Sequence, residues 1–417
     1  MTTDIHRTID AVWRIESARL VAGLARLVHD VGLAEELAQD ALVAALERWP
    51  ATGIPDRPGA WLMGTAKHRA IDLIRKKELV RRKHEAIGRD GEDERSLTVE
   101  RLDAALDDDV GDDLLRLVFT ACHPVLPTEG RVALTLRLLG GLSTDEIARA
   151  FLVPEPTVAQ RIVRAKRTLA EKGVRFEVPR GPELAERLAS VLEVLYLVFN
   201  EGYSATAGDD WMRPTLCNEA LRLGRIVAEL APLEPEVHGL VALMEIQASR
   251  TAARTGPKGE PVLLLDQNRG RWDRILIGRG LAALARADAL PGDAGPYLLQ
   301  ARIAACHARA RTADATDWTR IAALYDGLAG VVPSPIVELN RAVAHGMAFG
   351  PAAGLALVDL LVSEPALAGY HLLPSVRGDL LAKLGRTDEA RAEFERAAGL
   401  TRNARERHLL LERAAAC

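Results

Sequence analysis

Residues 142–170 read LSTDEIARAFLVPEPTVAQRIVRAKRTLA, and this stretch decides the fold of the region around it. Apolar residues recur at helical spacing on both sides of a turn-forming Val-Pro-Glu-Pro sequence at residues 153–156. Ser143 and Glu146 have the spacing of a capping box, which marks the start of the first helix. Pro156 is suited to the first position of the second helix. The pattern predicts a helix-turn-helix.

The second helix of this motif is predicted to expose a polar and basic face. The residues on that face are Thr157, Gln160, Arg161, Arg164 and Arg167. Gln and Arg form paired hydrogen bonds with adenine and guanine edges in the major groove, and Arg also contacts phosphates. We therefore expect these five side chains to contact DNA.

A second helical region precedes the motif, over residues 1–87. A first helix is expected to break at residues 29–32, with Gly32 as the residue after its end. Residues 34–49 then have the periodicity of an amphipathic helix, and residues 50–58 form a turn-rich loop. A long helix is predicted from Gly59 toward Ile87.

The long helix alternates apolar and basic positions. Its candidates for phosphate contacts are Lys67, Arg69, Arg75 and Lys76. Trp61 is either a core residue or a stacking surface for a base. Asp72 is either the intrahelical partner of a neighbouring cation or a DNA contact.

The net charge of -4, taken alone, argues against a nucleic-acid-binding protein. Along the chain, however, the charge is segregated. Residues 67–83 carry eight Lys or Arg and two acidic residues. Residues 161–175 carry six Lys or Arg and one acidic residue. Between them, residues 88–113 carry eleven acidic residues and three Arg. Residues 88–112 are therefore predicted to be an acidic linker between two basic segments.

The composition favours an all-α fold. The chain has 417 residues, of which 48% are hydrophobic, 27% charged and 4% aromatic, a balance that excludes wholesale disorder. Ala, Leu, Arg and Glu, all helix formers, recur throughout. No apolar run has the length that spans a bilayer, and the first residues lack a signal-peptide pattern, so a cytoplasmic protein without membrane contact is expected. The four cysteines are far apart, so no disulfide, metal site or cofactor is expected.

The C-terminal part, residues 183–417, is predicted to consist of helical repeats. Gly378, Leu381, Gly385, Ala390, Phe394 and Ala397 fit the spacing of a 34-residue tetratricopeptide unit. An earlier helix pair, residues 336–345 and 351–361 separated by Gly346, fits more loosely. Residues 253–268 interrupt the helical pattern and are expected to form an exposed loop. Stacked helix pairs form a concave surface that binds partner segments.

Two stretches before the motif resemble conserved region 2 of the sigma-70 family, in its extracytoplasmic-function (ECF) type. They are AEELAQDALVAALERWP (34–50) and PGAWLMGTAKHRAIDLIRKK (58–77), and the helix-turn-helix resembles region 4. One departure is Pro156, where glycine is more usual. The resemblance implies an alternative sigma factor whose partners are core RNA polymerase and promoter DNA, and which is not itself an enzyme. It divides the chain into region 2 (1–87), linker (88–112), region 4 (113–175) and a regulatory domain (183–417).

The resemblance also implies roles for single residues. In the family, the first stretch docks on the clamp helices of the polymerase, which implies polymerase contacts for Glu36, Gln39 and Asp40. The second stretch reads and opens the -10 element, which implies DNA contacts for the six residues Trp61, Lys67, Arg69, Asp72, Arg75 and Lys76. The helix-turn-helix reads the -35 element.

The sequences LVFNEGYSA (197–205) and LCNEALRLGRIVAELAP (216–232) resemble the extension of a sigma subgroup with a tetratricopeptide-like C-terminal domain. Asn200, Glu201 and Tyr203 are candidates for a regulatory interface, either with a protein partner or with the sigma regions of the same chain. Glu201 could also form a polar cluster with Asp209, Asp210, Asp266, Asn268 and Arg269. The alternative to a functional role is that this cluster forms ordinary helix caps and inter-helix hydrogen bonds.

Three other functions stay open from the sequence. A helix-turn-helix activator with a tetratricopeptide-like sensor domain needs no region-2-like unit, so residues 34–77 argue against it. A polymerase-binding scaffold without promoter recognition would not need the basic helices, so their presence argues against this function. A hydrolase-like enzyme in the C-terminal half would need a nucleophile–base pair or metal spacing, and the sequence reveals neither.

Overall fold

The protein is described from a computed structural model that covers residues 2–85, 110–151, 153–203, 212–257, 262–401 and 403–417. Helices form the regular secondary structure of these residues, which confirms the all-α class. The chain divides into two compact units, Met1–Leu195 and Tyr196–Cys417. Most of the predicted linker, residues 88–109, lies outside the described residues, as do Asp209 and Asp210.

The described residues of unit 1 form seven complete helices and the first part of an eighth. They are α1 (Thr2–Val28), α2 (Val31–Thr52), α3 (Pro58–Glu85), α4 (Val110–Ala121), α5 (Thr128–Leu138), α6 (Thr144–Phe151), α7 (Glu155–Glu171) and α8 (Pro182–Tyr203). Helices α1, α2 and α3 pack on one another, and α1 also packs on α4. The unit boundary at residue 195 lies within α8.

The junction between α1 and α2 differs from the prediction that Gly32 follows the end of the first helix. His29 takes the left-handed conformation with φ 54°, and Gly32 lies inside α2. The reason is the cap: the Asp30 carboxylate accepts a hydrogen bond from the Leu33 amide at 3.0 Å, so α2 begins at Val31.

The helix-turn-helix consists of α6 and α7. The predicted capping box is confirmed, because the Ser143 amide donates to Glu146 at 2.8 Å and the Glu146 amide donates to the Ser143 hydroxyl at 3.1 Å. Helix α7 begins at Glu155, so Pro156 is its second residue and not its first. A small apolar core lies between the two helices. Its buried residues are Ile147, Ala148, Val158 and Ile162, and Val153 in the turn is half-buried.

Unit 2 continues as helices that pack mainly on their sequence neighbours. They are α9 (Pro214–Leu230), α10 (Pro235–Ala248), α11 (Arg274–Ala289), α12 (Pro296–Arg309), α13 (Trp318–Val331), α14 (Pro335–Phe349), α15 (Pro351–Leu361), α16 (Leu372–Lys383), α17 (Thr387–Leu400) and α18 (Ala404–Ala415). Short 3-10 helices lie at residues 251–253, 269–271 and 365–367.

Helices α16 and α17, which carry most of the residues that fit the repeat spacing, pack closely on each other. Gly378 of α16 faces Phe394 of α17, and a Cβ at Gly378 would lie 3.0 Å from that ring. Phe394 is fully buried between the two helices. In the pair α14 and α15, the separating residue is Gly350, at φ 99°, and not Gly346. Gly346 lies inside α14, where it allows close approach to Gly354 of α15.

The sequence predicts no membrane span, no metal site and no disulfide, and the described residues can be compared with these expectations. None of the described helices combines the length and apolar character needed to cross a membrane. In the described ranges, no group of His, Cys, Asp and Glu side chains is arranged to hold a metal ion. The four cysteines are free thiols.

Candidate nucleic-acid interface

Helix α7 presents the predicted polar and basic face to solvent. Its other side is anchored by four buried side chains, Val158, Ile162, Ala165 and Leu169. Gln160, Arg164 and Arg167 are exposed, whereas Thr157 and Arg161 are half-buried. Arg167 donates a hydrogen bond to Glu171 at 2.6 Å, one turn along the helix. The helix therefore has a rigid apolar side and an accessible cationic side, as a major-groove reader requires.

Helix α3 carries the second set of candidate DNA contacts. Arg69, Asp72, Arg75 and Lys76 are exposed, and Lys67 is half-buried. Asp72 lies 4.0 Å from Arg75 in an exposed i,i+3 pair, a contact that contributes little to stability.

Trp61 is half-buried at the start of α3. Its ring meets the fully buried ring of Trp49 edge-on, with centroids 5.3 Å apart and an interplanar angle of 66°. Aromatic pairs of this geometry stabilise a core. Trp61 thus has a packing role in unit 1, and base stacking by the exposed remainder of its ring stays a prediction.

The candidate polymerase contacts lie on α2. Glu36 and Asp40 are exposed, and Gln39 is half-buried. The Asp40 carboxylate forms an ion pair with Arg69 at 3.1 Å, so one predicted polymerase contact binds one predicted DNA contact. Gln39 donates a hydrogen bond to Glu35 at 2.6 Å.

Glu35 is the main residue of this surface that the sequence reasoning missed. Its side chain is 5% exposed and forms ion pairs with Arg137 of α5, at 2.6 Å, and with Lys166 of α7. It therefore joins the region-2-like helices to the helix-turn-helix. The sequence contains one indication that Glu35 is buried: helical spacing places it on the same side of α2 as the buried residues Ala34 and Ala38.

Two further ion pairs connect the same parts of unit 1. Arg26 of α1 contacts Asp113 of α4 at 3.2 Å, and the Asp113 side chain is 5% exposed. Arg14 of α1 contacts the capping residue Glu146 of α6. Together with Glu35, these contacts hold the helices of unit 1 in one compact arrangement.

The first part of α8 is also built into unit 1. Arg131 of α5 donates to Ser190 and, at 2.9 Å, to Glu193. Arg187 donates to the Phe119 carbonyl at 2.9 Å, and the Ser190 hydroxyl donates to the Cys122 carbonyl at 2.6 Å. Burial raises the pKa of the Cys122 thiol to about 11, so this cysteine is a core residue and not a reactive thiolate.

The candidate regulatory residues at the end of α8 have partners within unit 2. Glu201 forms an ion pair with Arg213. The Tyr203 hydroxyl donates to Gln247 at 3.0 Å, and its ring stacks on Phe199 with centroids 5.6 Å apart. Asn200 is half-buried. Glu201 thus makes a contact of the kind that the alternative interpretation expects, and Tyr203 is held by neighbours in unit 2. A contact of these residues with the sigma regions stays a prediction.

Comparisons with known families agree with the order of these elements. Residues 15–79 match the family Sigma-70 region 2, and residues 116–169 match Sigma-70, region 4. Residues 187–288 match a family of unknown function, DUF6596. The region 2 match covers the part of the chain that a simple helix-turn-helix activator would lack.

Two relatives extend the comparison. The chain is 45% identical over 388 residues to the "Uncharacterized protein R00370" of Rhizobium meliloti, covering 93% of this chain and 90% of that one. It is 30% identical over 175 residues to the "Probable ECF RNA polymerase sigma factor SigI" of Mycobacterium tuberculosis, covering 42% of this chain and 58% of that one. No solved structure matches significantly.

Proposed function

We propose that this chain, which belongs to the sigma-70 family and to the same family as R00370, binds core RNA polymerase and directs initiation at promoters with -35 and -10 elements. The observation that carries the proposal is the ordered pair of matches, region 2 at residues 15–79 and region 4 at residues 116–169, with an exposed basic face on α7. The polymerase, and not this chain, performs the phosphoryl transfer.

The roles within unit 1 follow the resemblance. Helix α2 docks on the polymerase through Glu36, Gln39 and Asp40. Helix α3 contacts the -10 element through Lys67, Arg69, Arg75 and Lys76, with Trp61 and Asp72 beside the bases. Helix α7 reads the -35 element through Thr157, Gln160, Arg161, Arg164 and Arg167. The exposure of most of these side chains supports the assignment.

The compact arrangement of unit 1 has to open for both elements to be read at once. Arg69 of α3 and Lys166 of α7 bind Asp40 and Glu35, which lie about 8 Å apart along the axis of α2. The two promoter elements, about 25 base pairs apart, are separated by about 85 Å of duplex. The ion pairs of Glu35 therefore belong to a closed form of unit 1. In the proposed scheme, polymerase binding breaks these ion pairs and opens unit 1.

Unit 2 modulates this activity in the proposed scheme. Stacked helix pairs are expected to form a concave surface that binds a partner segment. The alignment with R00370 covers 93% of this chain and 90% of that one, so it includes both units. The tetratricopeptide-like subgroup is part of this proposal and is supported by the Gly378–Phe394 packing.

Polymerase binding tests the proposal directly. We expect Glu36→Lys to weaken binding of the full chain to purified core polymerase about tenfold, because it reverses a charge on the exposed docking face of α2. Fluorescence anisotropy of labelled protein measures the dissociation constant. The matched control is Glu186→Lys, an exposed charge reversal on α8, outside the docking stretch. Equal affinities for the two variants would contradict the docking role of Glu36.

A second prediction concerns base reading by α7. Arg161→Ala is expected to reduce discrimination at one position of the -35 element by about 1–3 kcal/mol, because a paired Arg–base contact is lost. Competition binding with a library of single-base promoter variants measures it. Arg175→Ala, beyond the end of α7, is the control. A loss spread evenly over all sequences would instead assign Arg161 to a phosphate contact.

A further inference from the structure

One large apolar side chain of α7 points to solvent instead of the core. Val163 is 63% exposed, although it lies in the middle of the helix. Elsewhere in the described residues of unit 1, the exposed large apolar side chains lie on α1 and α2. The buried residues of α7 are Val158, Ile162, Ala165 and Leu169.

The free chain gains little from a valine at this position. An exposed side chain removes little apolar surface from water, and valine is a poorer helix former than alanine, lysine or glutamate. Single exposed apolar residues are common on protein surfaces, so exposure alone does not make a site. The position of Val163 on the helix decides what it can contact.

Helical geometry places Val163 on the side of α7 that is predicted to contact DNA. Residues three and four apart on a helix share one face, with Cβ atoms about 5–6 Å apart. Val163 follows Gln160 by three residues and precedes Arg167 by four, and both of these side chains are exposed. Two candidate DNA contacts therefore flank the valine.

The surroundings of Val163 indicate which kind of molecule covers this face. Residues 157–167 contain four Lys or Arg and no acidic residue. Two of the four cations form ion pairs, one with Glu35 and one with Glu171. An apolar protein surface laid over this face would bury the remaining charges without compensation, whereas a DNA backbone attracts them. The charge of the face therefore favours DNA.

The major groove of DNA offers one apolar group to such a side chain. Only thymine presents a methyl group there, beside the hydrogen-bond donors and acceptors of the base edges. Small apolar side chains read this methyl group by direct contact. Valine suits the contact because its branched Cβ leaves one strongly preferred rotamer in a helix, so that its two methyl groups are held in place before DNA binds.

We propose that Val163 reads the methyl group of one thymine in the -35 element. The proposal rests on the promoter-reading role of α7 proposed above, and it adds a specificity-determining residue to that role. Successive base pairs are about 3.4 Å apart along the duplex, and Gln160 and Val163 are separated by about 5–6 Å. The thymine therefore lies within about two base pairs of the base that Gln160 contacts.

Replacing thymine with deoxyuridine tests the proposal, because this change removes only the methyl group. The preferred -35 sequence is selected from a random duplex library with the full chain bound to core polymerase. Each thymine of that sequence is then replaced in turn, and competition binding measures the affinity. We expect a loss of about fourfold at one position, the factor that corresponds to burial of one methyl group. Replacement of the other thymines should change the affinity much less.

The variant Val163→Ala completes the test. It should bind the thymine duplex about fourfold more weakly and should no longer distinguish thymine from deoxyuridine at that position. The variant is expected to fold, because the side chain is exposed and alanine is the better helix former. Val331→Ala is the matched control: it makes the same change at a 49% exposed position at the end of α13 and should leave the binding unchanged.

Four results would overturn the role of Val163. They are equal affinity for thymine and deoxyuridine at every position, a methyl effect that persists in the Val163→Ala variant, a methyl effect more than about two base pairs from the position whose preference Gln160→Ala relaxes, and weaker binding of this variant to core polymerase without DNA. The last result would assign Val163 to a protein interface. A selection that yields no preferred sequence would refute the promoter-reading role of α7 itself, and this proposal with it.

Discussion

Replacing Glu35 with Gln is expected to open unit 1 and to strengthen its binding to core RNA polymerase. The change removes the negative charge that pairs with both Arg137 and Lys166. Breaking a buried ion pair costs about 3–5 kcal/mol, and we expect the lower end because both cations are 22% exposed. In the proposed scheme the polymerase binds the open form, which alone can span both promoter elements. Destabilising the closed form should therefore raise the affinity for polymerase by up to about 100-fold.

Energy transfer between two dyes measures the opening. Cysteines introduced at the exposed positions Arg48 of α2 and Lys172 after α7 provide the labelling sites. Glu36→Gln is the matched control, because it removes the neighbouring but exposed carboxylate and should leave the transfer efficiency unchanged. Unchanged transfer efficiency in the Glu35→Gln variant would show that these ion pairs do not hold the closed form.

Ending the chain after residue 175 is expected to destabilise the helix-turn-helix half of unit 1, whereas ending it after residue 195 is not. The shorter chain lacks Ser190 and Glu193, the partners of Arg131, whose side chain is only 10% exposed. It also lacks the buried side chains of Leu188, Val191 and Leu192. Burial of one such side chain contributes about 1.5–3 kcal/mol, so the loss approaches the whole stability of a small domain.

Urea denaturation followed by circular dichroism compares the two fragments. The 1–195 fragment should unfold in one cooperative transition at clearly higher urea concentration than the 1–175 fragment. A point variant in the full chain, Arg187→Met, removes the hydrogen bonds of Arg187 to the Phe119 carbonyl and to Glu183 without any truncation. Equal unfolding midpoints for the two fragments would show that α8 contributes nothing to unit 1.

The sequence predicted best what local spacing determines. Ser143 and Glu146 interact across three residues, and the buried face of α7 follows from helical periodicity, so both were predictable. The end of α1 was predicted less well, because the Asp30 cap competes with Gly32 as a helix-end signal. A glycine in a helical pattern can mark a helix end or lie within a helix. Here the hydrogen bond from the Leu33 amide to the Asp30 carboxylate determines where α2 begins.

Long-range contacts explain what the sequence could not predict. Glu35 and Arg137 are 102 residues apart in sequence, and no local pattern pairs them. The same holds for Arg187 and the Phe119 carbonyl, which place part of α8 in unit 1. Residues 253–268 were expected to form an exposed loop, yet Arg254 and Gln267 are buried and help to form a cavity. That burial depends on α16 and α18, more than a hundred residues further along the chain.

Promoter-directed initiation is the most direct test of the central claim, that this chain is a sigma factor with separate -10 and -35 readers. Purified core polymerase is combined with the full chain and a pool of genomic promoter fragments, and the 5′ ends of the transcripts are sequenced. The account predicts new start sites that share two sequence elements, which disappear when Arg69 and Arg161 are both replaced with Ala. Start sites identical to those of core polymerase alone would contradict it.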